Sequence, residues 1–461
     1  MLNARKKQGL KSLFKEQTPL CSLSFVSLLI PLLFESLTAQ LLGTANSVVL
    51  SGYSENAAAA VGAATPIVNL IYLVGSTISL GASVLISNLL GEGKPNETRK
   101  VCFAGLICCT VAVSAVSLPL SIFAESIMSA QNLSGEIADF ASVYFKFAAL
   151  SAPLYGTTVF LLSVMRCYGH TVYTFIVSVA RGALSLFGSL FFIYSPISPL
   201  GGIVGVGVSL ALAISVSLFI TVLVFIRKRI GIDLVRSPRS LIFCIGKILK
   251  IGLPSAISSG SFTLSQVITT SFVALIDGPA ITAKVFFTNV LSYSYLFSYA
   301  CGSAAAIITG IRHGAGKHRE ADEMLRVLRR ITVTANLILS LSIFLLRRPI
   351  LSMFTSSEEI ILLSSAIFLV DALTEHGRAV SHVYEQSLRA CTDVWFVMIA
   401  TVISCWTLSI GLAYVFSITF NMGLLGCYVG LMADELMRGV ITRIRWHFII
   451  KKQSIKDGKR L

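Results

Sequence analysis

The sequence predicts an all-α integral membrane protein with about 12 transmembrane helices, arranged as two pseudo-symmetric six-helix bundles in a parallel 6+6 repeat. Three observations predict it. Hydrophobic residues make up 55% of the 461 positions and charged ones only 13%, against roughly 25% charged in an ordinary globular domain. Long stretches carry no Asp, Glu, Lys or Arg at all: Asn56–Gly91, Gly182–Ile226, Ile251–Ile276 and Val394–Ala433. The second half of the chain also repeats landmarks of the first at a fixed offset.

A helix crosses the hydrocarbon core with about 20 apolar residues, and runs this long lack the alternation of a barrel strand. In order, the crossings fall near 18–50, 57–90, 99–122, 138–166, 170–194 and 201–227, then 250–277, 281–313, 328–350, 360–389, 392–417 and 423–449. Around them lie an N-terminal segment 1–17, an N-terminal lobe 18–227, a linker 228–249 that contains Pro238, a C-terminal lobe 250–449 and a tail 450–461.

The net charge of +15 would suggest nucleic acid in a soluble protein, but its distribution decides otherwise. Alternate loops hold 30 of the 37 Lys and Arg, and the intervening loops hold only Lys146, Lys284, Arg347 and Arg348. Arg181, Arg378 and Arg438 fall within spans. That asymmetry is the positive-inside pattern, so both termini are expected in the cytoplasm and the chain in the cell membrane. The first apolar run, from Pro19, continues past thirty residues without a cleavage site, so no cleaved leader is expected. The ten cysteines include no CxxC pair and read as packing residues rather than disulfides or metal ligands.

Pro31 and Pro254 are 223 residues apart. The same offset carries Gly91-Glu-Gly-Lys94 onto Gly314-Ala-Gly-Lys317, and Arg166 onto Arg389. Gly202-Ile-Val-Gly205 matches Gly423-Leu-Leu-Gly426 at an offset of 221. Six crossings separate equivalent helices, so the repeats are parallel, as expected of an alternating-access transporter. The Gly-x-Gly-Lys pairs are not phosphate loops: Lys94 precedes Pro95 and Lys317 precedes His318, where such a loop needs Ser or Thr. They read as helix ends. No nucleotide or other cofactor is expected, which leaves an H⁺ or Na⁺ gradient as the driving force.

The order and spacing of several segments resemble the multidrug and toxic compound extrusion (MATE) family. These are Pro31 in the first span, Asn46-Ser-Val-Val-Leu-Ser-Gly-Tyr53, the Ala-rich Ala57–Ala64 and Leu85-Ile-Ser-Asn-Leu-Leu-Gly91. Gly310–Lys317 with Glu320-Ala321, and Leu388-Arg-Ala-Cys-Thr-Asp393, continue the likeness into the second half. Pro31-x-x-x-Glu35, Glu375-His-Gly-Arg378 and Asp434-Glu-Leu-Met-Arg438-Gly with Arg445-Trp446 look like one branch of it. The resemblance implies export of organic, often cationic, compounds in exchange for H⁺ or Na⁺. Most members carry Asp where Asn46 stands, and an acid in the seventh span where Ser258, Gly260 and Phe262 stand. Those acids are commonly assigned to cation coupling, so the coupling ion is open, as is whether coupling is retained.

An ionisable residue at mid-bilayer costs ~2.5–3.5 kcal/mol on insertion scales and needs a reason. In the tenth span Asp371, Glu375, Arg378, His382, Glu385 and Arg389 recur at spacings of 4 and 3, which places all six on one helical face. Such a face lines a cavity or meets partners. Asp434, Glu435 and Arg438 in the twelfth span lie at a similar depth, so Arg378 with Glu435, and Glu375 or Asp371 with Arg438, are the expected pairs. The network either ties the two helices together or couples a cation through its acids. Glu35 lies near the middle of the first span, with Arg181 as its expected partner, and is either structural or a proton site. Glu35, Asp371, Glu375, Asp434 and Glu435 are therefore the cation-coupling candidates. Arg181, Arg378, His382, Glu385 and Arg438 are their network partners. Asn46, Gln266, Asn289 and Tyr293 are candidates to line a substrate cavity, with Tyr295, Phe297 and Tyr299 extending an aromatic face suited to flat cations.

The expected function is secondary export of organic cations, with small molecules and membrane lipids as partners, no nucleic acid, and a monomer as the working unit. A flippase for lipid-linked saccharides shares this architecture but favours a basic cavity. A transporter descendant that has lost coupling is the other alternative. No HExxH or GxSxG motif lies within a span, so an enzyme is not expected.

Overall fold

The computed structural model describes residues 14–17, 22–129, 131, 135–194, 202–235, 237–274, 278–352 and 357–458. Twelve long helices follow one another: α1 (Phe25–Tyr53), α2 (Glu55–Gly91), α3 (Pro95–Ile122), α4 (Gly135–Cys167), α5 (Thr171–Tyr194) and α6 (Gly202–Arg227). The second set is α7 (Pro238–Ala274), α8 (Gly278–Gly314), α9 (His318–Leu345), α10 (Glu358–Ala390), α11 (Val394–Thr419) and α12 (Leu424–Gly458). Eleven of these are long and apolar enough to cross a membrane. The twelfth, α12, carries Asp434, Glu435 and Arg438 within a few residues of one another, which is why its hydropathy alone does not reveal it.

The helix ends follow local chemistry. Ser54 caps α2 by accepting from the Ala57 amide, and Glu55 adds an acid to the first turn, favourable at the positive end of the dipole. Pro95 opens α3, where its missing N–H costs nothing. The Gly-x-Gly-Lys pairs are matching C-caps. Gly93 (φ +71°) and Gly316 (φ +74°) take the left-handed conformation, and the Lys94 and Lys317 amides donate back to the Leu89 and Arg312 carbonyls at 3.0 and 2.8 Å. That is the double-bonded helix stop for which glycine is preferred. In α11 the hydrogen bonding widens to π-type turns over Cys405–Leu412 and Val415–Thr419.

Several sequence expectations shift. The first span begins at Phe25 rather than 18, because β2 (Ser22–Ser24) pairs with β1 (Lys15–Gln17) in a small hairpin. Glu16, placed by the sequence in an N-terminal segment, is buried and paired with Arg312 (3.0 Å) and Lys317 (2.7 Å); residues 1–13 of that segment lie outside the described residues. The expected linker 228–249 is helical from Pro238, since α7 extends to that proline. The expected tail from 450 continues α12 as far as Gly458; 459–461 lie outside the described residues. The ninth span starts ten residues early, at His318, because its first turns are amphipathic rather than apolar.

The described residues fall into two compact units. The N-terminal unit holds 22–23 and 30–253, and the C-terminal unit holds 14–17, 24–29 and 254–458. The chain therefore changes unit within α1 beside Pro31 and within α7 at Pro254, at equivalent points of the repeat. In the C-terminal unit Phe287, Phe368, Ile367, Leu351 and Leu424 form an apolar core. The N-terminal unit has a cluster of Leu50, Ala57, Ile203 and Val206. Helices α10 and α12 approach closely at glycines: a Cβ on Gly377 would lie 2.7 Å from the backbone of Glu435, and one on Gly439 3.0 Å from the Gly377 carbonyl. Small residues at such crossings let dispersion and polar contacts hold membrane helices together. Large apolar side chains such as Leu70, Phe187, Phe219, Ile338 and Leu369 remain exposed, as suits a surface that faces lipid.

Candidate functional site

The close α10–α12 crossing sets the geometry of the charged site in the C-terminal unit. Gly377 lets the α12 backbone approach, so Arg378, the next residue, reaches across to Glu435 (Nε–Oε1 3.3 Å). Arg378 also pairs with Glu375 one turn back on its own helix. Glu375 accepts a second bond, 2.9 Å, from Asn336 of α9, whose amide also reaches Ser298 of α8. On α12, Arg438 Nη2 lies 2.6 Å from Glu435 and 3.1 Å from Asp434, and its Nη1 is 3.8 Å from Glu385. These contacts are charge pairs rather than well-aligned hydrogen bonds, since neither Nε nor Nη2 of Arg438 donates to an acceptor in hydrogen-bond geometry. Ser381 donates to Glu435 (3.1 Å), and Ser404 of α11 donates to Asp434. Glu385 pairs with Arg389 four residues on. Every one of these carboxylates is buried.

The network borders a cavity of about 500 Å³ lined from α7, α8, α10, α11 and α12. Asp371, Arg378, His382, Glu385 and Arg389 all face it, so the stripe expected from the 4-and-3 spacing is a wall of this cavity; Glu375 sits just behind it. The aromatic wall comes from Phe262, Tyr295, Tyr299 and Tyr428. Arg378 stacks over Tyr295 (5.6 Å) and Arg438 over Phe262 (5.5 Å), and His382 lies 6.1 and 6.2 Å from the Tyr295 and Tyr299 rings. Asp371 differs from the other acids. It is 3% exposed, and its Oδ2 makes no hydrogen bond. Among the described residues, no cluster of His, Cys, Asp and Glu is arranged to hold a metal ion.

Some expectations need correcting. Arg438 pairs with Asp434, Glu435 and Glu385, and no pair joins it to Glu375 or Asp371. Gln266 lines the cavity, whereas Asn289 and Tyr293 do not. The α8 face turned to the cavity runs through Thr288, Ser292, Tyr295 and Tyr299, and residues one position along point about 100° away. Asn46 belongs to the other unit, where its Oδ1 is buried without a hydrogen bond. Glu35 pairs not with Arg181 but with Arg166 (2.6 Å), and it accepts from Ser178 (2.7 Å) and Thr174 (3.4 Å). It is the eleventh residue of α1 and meets the penultimate residue of α4, so it lies nearer a helix end than the sequence suggested. Arg181 stands instead over the Tyr155 ring at 5.0 Å.

Sequence reasoning missed Lys284 and Asn336 as members of the site. Lys284 lines the cavity and donates to Thr270 (2.7 Å), yet it reads as a loop residue. Asn336 had a signal: it is a lone amide in an otherwise apolar α9 stretch. The Arg445-Trp446 pair works in the second half of α12. Arg445 grips both oxygens of Asp393 (2.8 and 3.2 Å), and the Trp446 indole donates to Asp322 (3.0 Å).

Comparison with known proteins agrees with this architecture. The uncharacterized transporter YisQ of Bacillus subtilis is 28% identical over 431 residues, covering 92% of this chain and 93% of its own. The probable multidrug resistance protein NorM of Thermotoga maritima is 24% identical over 456 residues, covering 96% and 97%. A solved structure of a MOP superfamily transporter from Pyrococcus furiosus superposes with a TM-score of 0.85 at 19% identity, over 93% of this chain and 96% of that one. The MatE family profile matches residues 31–189 and again 254–415, one match in each half of the repeat, and on that ground the chain belongs to the MatE family of multi-pass membrane transporters.

Proposed function

We propose that the protein exports organic cations across the cell membrane, in exchange for H⁺ or Na⁺, by alternating access with both termini in the cytoplasm. The observation that carries this reading is the cavity of the C-terminal unit. Asp371, Glu385 and Glu435 line it, with Glu375 and Asp434 buried behind them, against the cations Lys284, Arg378, Arg389 and Arg438, so the five acids of the site outnumber its four cations by one. Asp371 is the acid whose Oδ2 has no hydrogen-bond partner, which leaves it free to hold a proton, a sodium ion or the ammonium of a substrate. The aromatic wall beside it offers ring faces to a flat cation. A cation that competes with the coupling ion for one carboxylate leaves when that ion arrives, and this is the minimal requirement for exchange. Names of relatives such as the Thermotoga maritima NorM support a multidrug substrate range.

Purified protein in proteoliposomes with an imposed H⁺ or Na⁺ gradient tests the reading. Wild type should move tetraphenylphosphonium against its gradient when one of the two ions is supplied. Asp371→Asn should bind the same cation more weakly and show no gradient-driven transport. Transport by Asp371→Asn at the wild-type rate would remove Asp371 from the coupling step, and no response to either gradient in wild type would favour a descendant without coupling. A reporter fused after residue 461 should be cytoplasmic and one inserted at Ser129 external. The reverse result would overturn the orientation.

A further inference from the structure

We propose that α9, α10 and α12 form a recognition site for the phosphate of an anionic phospholipid head group, built from Arg326, Arg329, Arg443 and the hydroxyl of Tyr384. Asp322, Arg326 and Arg329 recur on α9 at spacings of 4 and 3, which places them on one helical face. Arg443 and Trp446 share a face of α12 in the same way. Tyr384 of α10 joins them, its ring 6.4 Å from that of Trp446. The charges of Arg326, Arg329 and Arg443 all act on the Tyr384 hydroxyl, as does that of Asp322. Tyr384 and the end of α10 at Ala390 are about 9 Å apart along the axis. The cluster therefore sits near helix ends, at the depth of lipid head groups.

The cations of this group outnumber its acid. Asp322 pairs with Arg326 and accepts from the Trp446 indole at 3.0 Å, so both of its oxygens are engaged. Among the described residues, neither Arg329 nor Arg443 has a carboxylate within ion-pair distance. The Arg329 Nε is buried without an acceptor. Tyr384 is 3% exposed, and among the described residues its hydroxyl makes no hydrogen bond. Polar groups left in this way are costly unless a ligand or water answers them. Arg326 and Arg443 are exposed, so the group can be reached. The repeat shows that the fold does not demand these charges. At the 223-residue offset Arg326, Arg329 and Tyr384 correspond to Phe103, Leu106 and Leu161, while Asp322 corresponds to Arg99. At the 221-residue offset of the last helices, Arg443 and Trp446 correspond to Val222 and Phe225. Where the C-terminal unit has its three guanidiniums, the N-terminal unit has apolar side chains.

The chemistry selects the ligand. Guanidinium forks match the oxygens of a phosphate, and a phenol adds one more donor. Tyrosine and tryptophan are favoured at the membrane interface, and basic pockets between helix ends there suit acidic lipid head groups. Next to Arg443 along α12, exposed Val440 and Ile444 provide apolar surface for acyl chains. The excess of guanidiniums over carboxylate favours an anionic head group over a zwitterionic one, whose ammonium brings a competing cation. The inference goes beyond the cation-export reading and rests on residues which that reading does not use.

Native mass spectrometry of the full chain, released from detergent with one added lipid at a time, tests it. The probes are a phosphatidylglycerol, the phosphatidylcholine with the same acyl chains, and soluble glycerol phosphate. Wild type should bind the phosphatidylglycerol about tenfold more tightly than the phosphatidylcholine, the lower end for a charge-assisted interaction. Arg329→Gln combined with Arg443→Gln should bring that ratio close to one. Tyr384→Phe should weaken both lipids, since each carries the phosphate that the hydroxyl reaches. Arg239→Gln combined with Lys250→Gln removes the same charge from exposed positions of α7 and should leave the ratio unchanged. Equal losses in the two double variants would reduce the preference to a general basic surface and overturn the site, as would equal binding of the two lipids by wild type. Glycerol phosphate should bind far more weakly than the lipid, and binding as tight would assign the site to a soluble phosphate and overturn the lipid. If the Arg329 variant does not fold, Arg443→Gln alone decides, because that side chain is exposed, and an unchanged ratio there overturns the proposal.

Discussion

Helices α2 and α4 of the N-terminal unit and α8 and α10 of the C-terminal unit are the same construction filled in two ways. At the 223-residue offset, Tyr72 corresponds to Tyr295 and Tyr155 to Arg378. The first pair stacks ring on ring at 3.9 Å, and the second places a guanidinium 5.6 Å above a ring. Where α10 carries Asp371, Glu375, His382 and Glu385, α4 carries Ala148, Ala152, Val159 and Leu162. Beside them, Gly75, Val113 and Gly156 pack closely, a Cβ on Gly75 lying 3.2 Å from the Gly156 Cα. The matching C-terminal positions are Ser298, Asn336 and Ala379, where Asn336 bonds to both Ser298 and Glu375. One feature is common to both units: Arg166 and Arg389 each close their helix on a carboxylate, Glu35 and Glu385.

The difference bears on what the buried charges are for. If an ion-pair network were needed to hold these helices together, the N-terminal unit would need one too. Its helices instead pack through alanine, glycine and valine at the equivalent positions. Buried ion pairs are in general a poor route to stability, because desolvation offsets much of their attraction. The C-terminal network is therefore better explained by the cavity that it surrounds than by the packing that it accompanies.

The largest effect expected from breaking the comparison is at Arg438. It neutralises parts of three carboxylates, Glu385, Asp434 and Glu435, and Arg438→Ala leaves them buried without their cation. The loss should be about 3–5 kcal/mol, read as a large fall in folded yield and in the thermal midpoint of the detergent-solubilised protein. Arg378→Ala should behave similarly, and Arg378→Glu combined with Glu435→Arg should recover part of the loss. At the position equivalent to Arg438 in the N-terminal unit, Ser217→Ala should shift the midpoint by a degree or two at most. Comparable losses at Arg438 and Ser217 would mean that the two units are not built as differently as their contacts indicate.

The helices were legible in the sequence because hydropathy alone identifies an apolar stretch of crossing length, and the exception shows the limit of the method. α12 has too many charges for its own hydropathy to announce a span, and it was placed by the charge-free stretch Val394–Ala433, long enough for two crossings, together with the repeat. The cavity stripe was legible because spacings of 4 and 3 define a helical face without knowledge of neighbours. Partners were harder to read. Arg166 and Arg389 stand at helix ends, where any basic residue looks like a loop anchor, yet their long side chains reach back to Glu35 and Glu385. Glu16 reads as a tail residue until the hairpin brings it to Arg312 and Lys317. Lys284 was assigned to a loop, because its position along the chain says nothing about which way its side chain turns.

A smaller effect should follow from exchanging the central residues of the third helices of the repeat. Asn336→Val removes a donor from Glu375 and Ser298 and leaves a buried carboxylate oxygen short of a partner. That should cost about 1–3 kcal/mol. The reciprocal Val113→Asn buries an amide among Gly75, Cys109 and Gly156, where no carboxylate matches Glu375, and should cost a similar amount. Thermal midpoints of the two single variants would separate a polar core built for Glu375 from a position that accepts either residue. A neutral Asn336→Val would show that Glu375 has all the partners it needs in Arg378.

The smallest expected effect lies at a backbone position that the two repeats also fill differently. After α4, Gly169 takes φ +83°, and the His170 amide donates to the Met165 carbonyl at 2.9 Å. After α10 the equivalent residue is Thr392 at φ +65°, with the Asp393 amide donating to the Leu388 carbonyl at 3.0 Å. Both form the same left-handed helix stop, but a β-branched side chain is strained there by roughly 1–2 kcal/mol. Thr392→Gly should therefore raise the thermal midpoint slightly, since the relief of strain exceeds the extra freedom that glycine gives the unfolded chain. Gly169→Thr should lower the midpoint by a comparable amount. Asp393 is the residue that Arg445 grips, so in Thr392→Gly that ion pair should persist. The expected signature is thus opposite shifts of similar size in the two variants, and a destabilised Thr392→Gly would show that the threonine side chain makes a contact worth more than its strain.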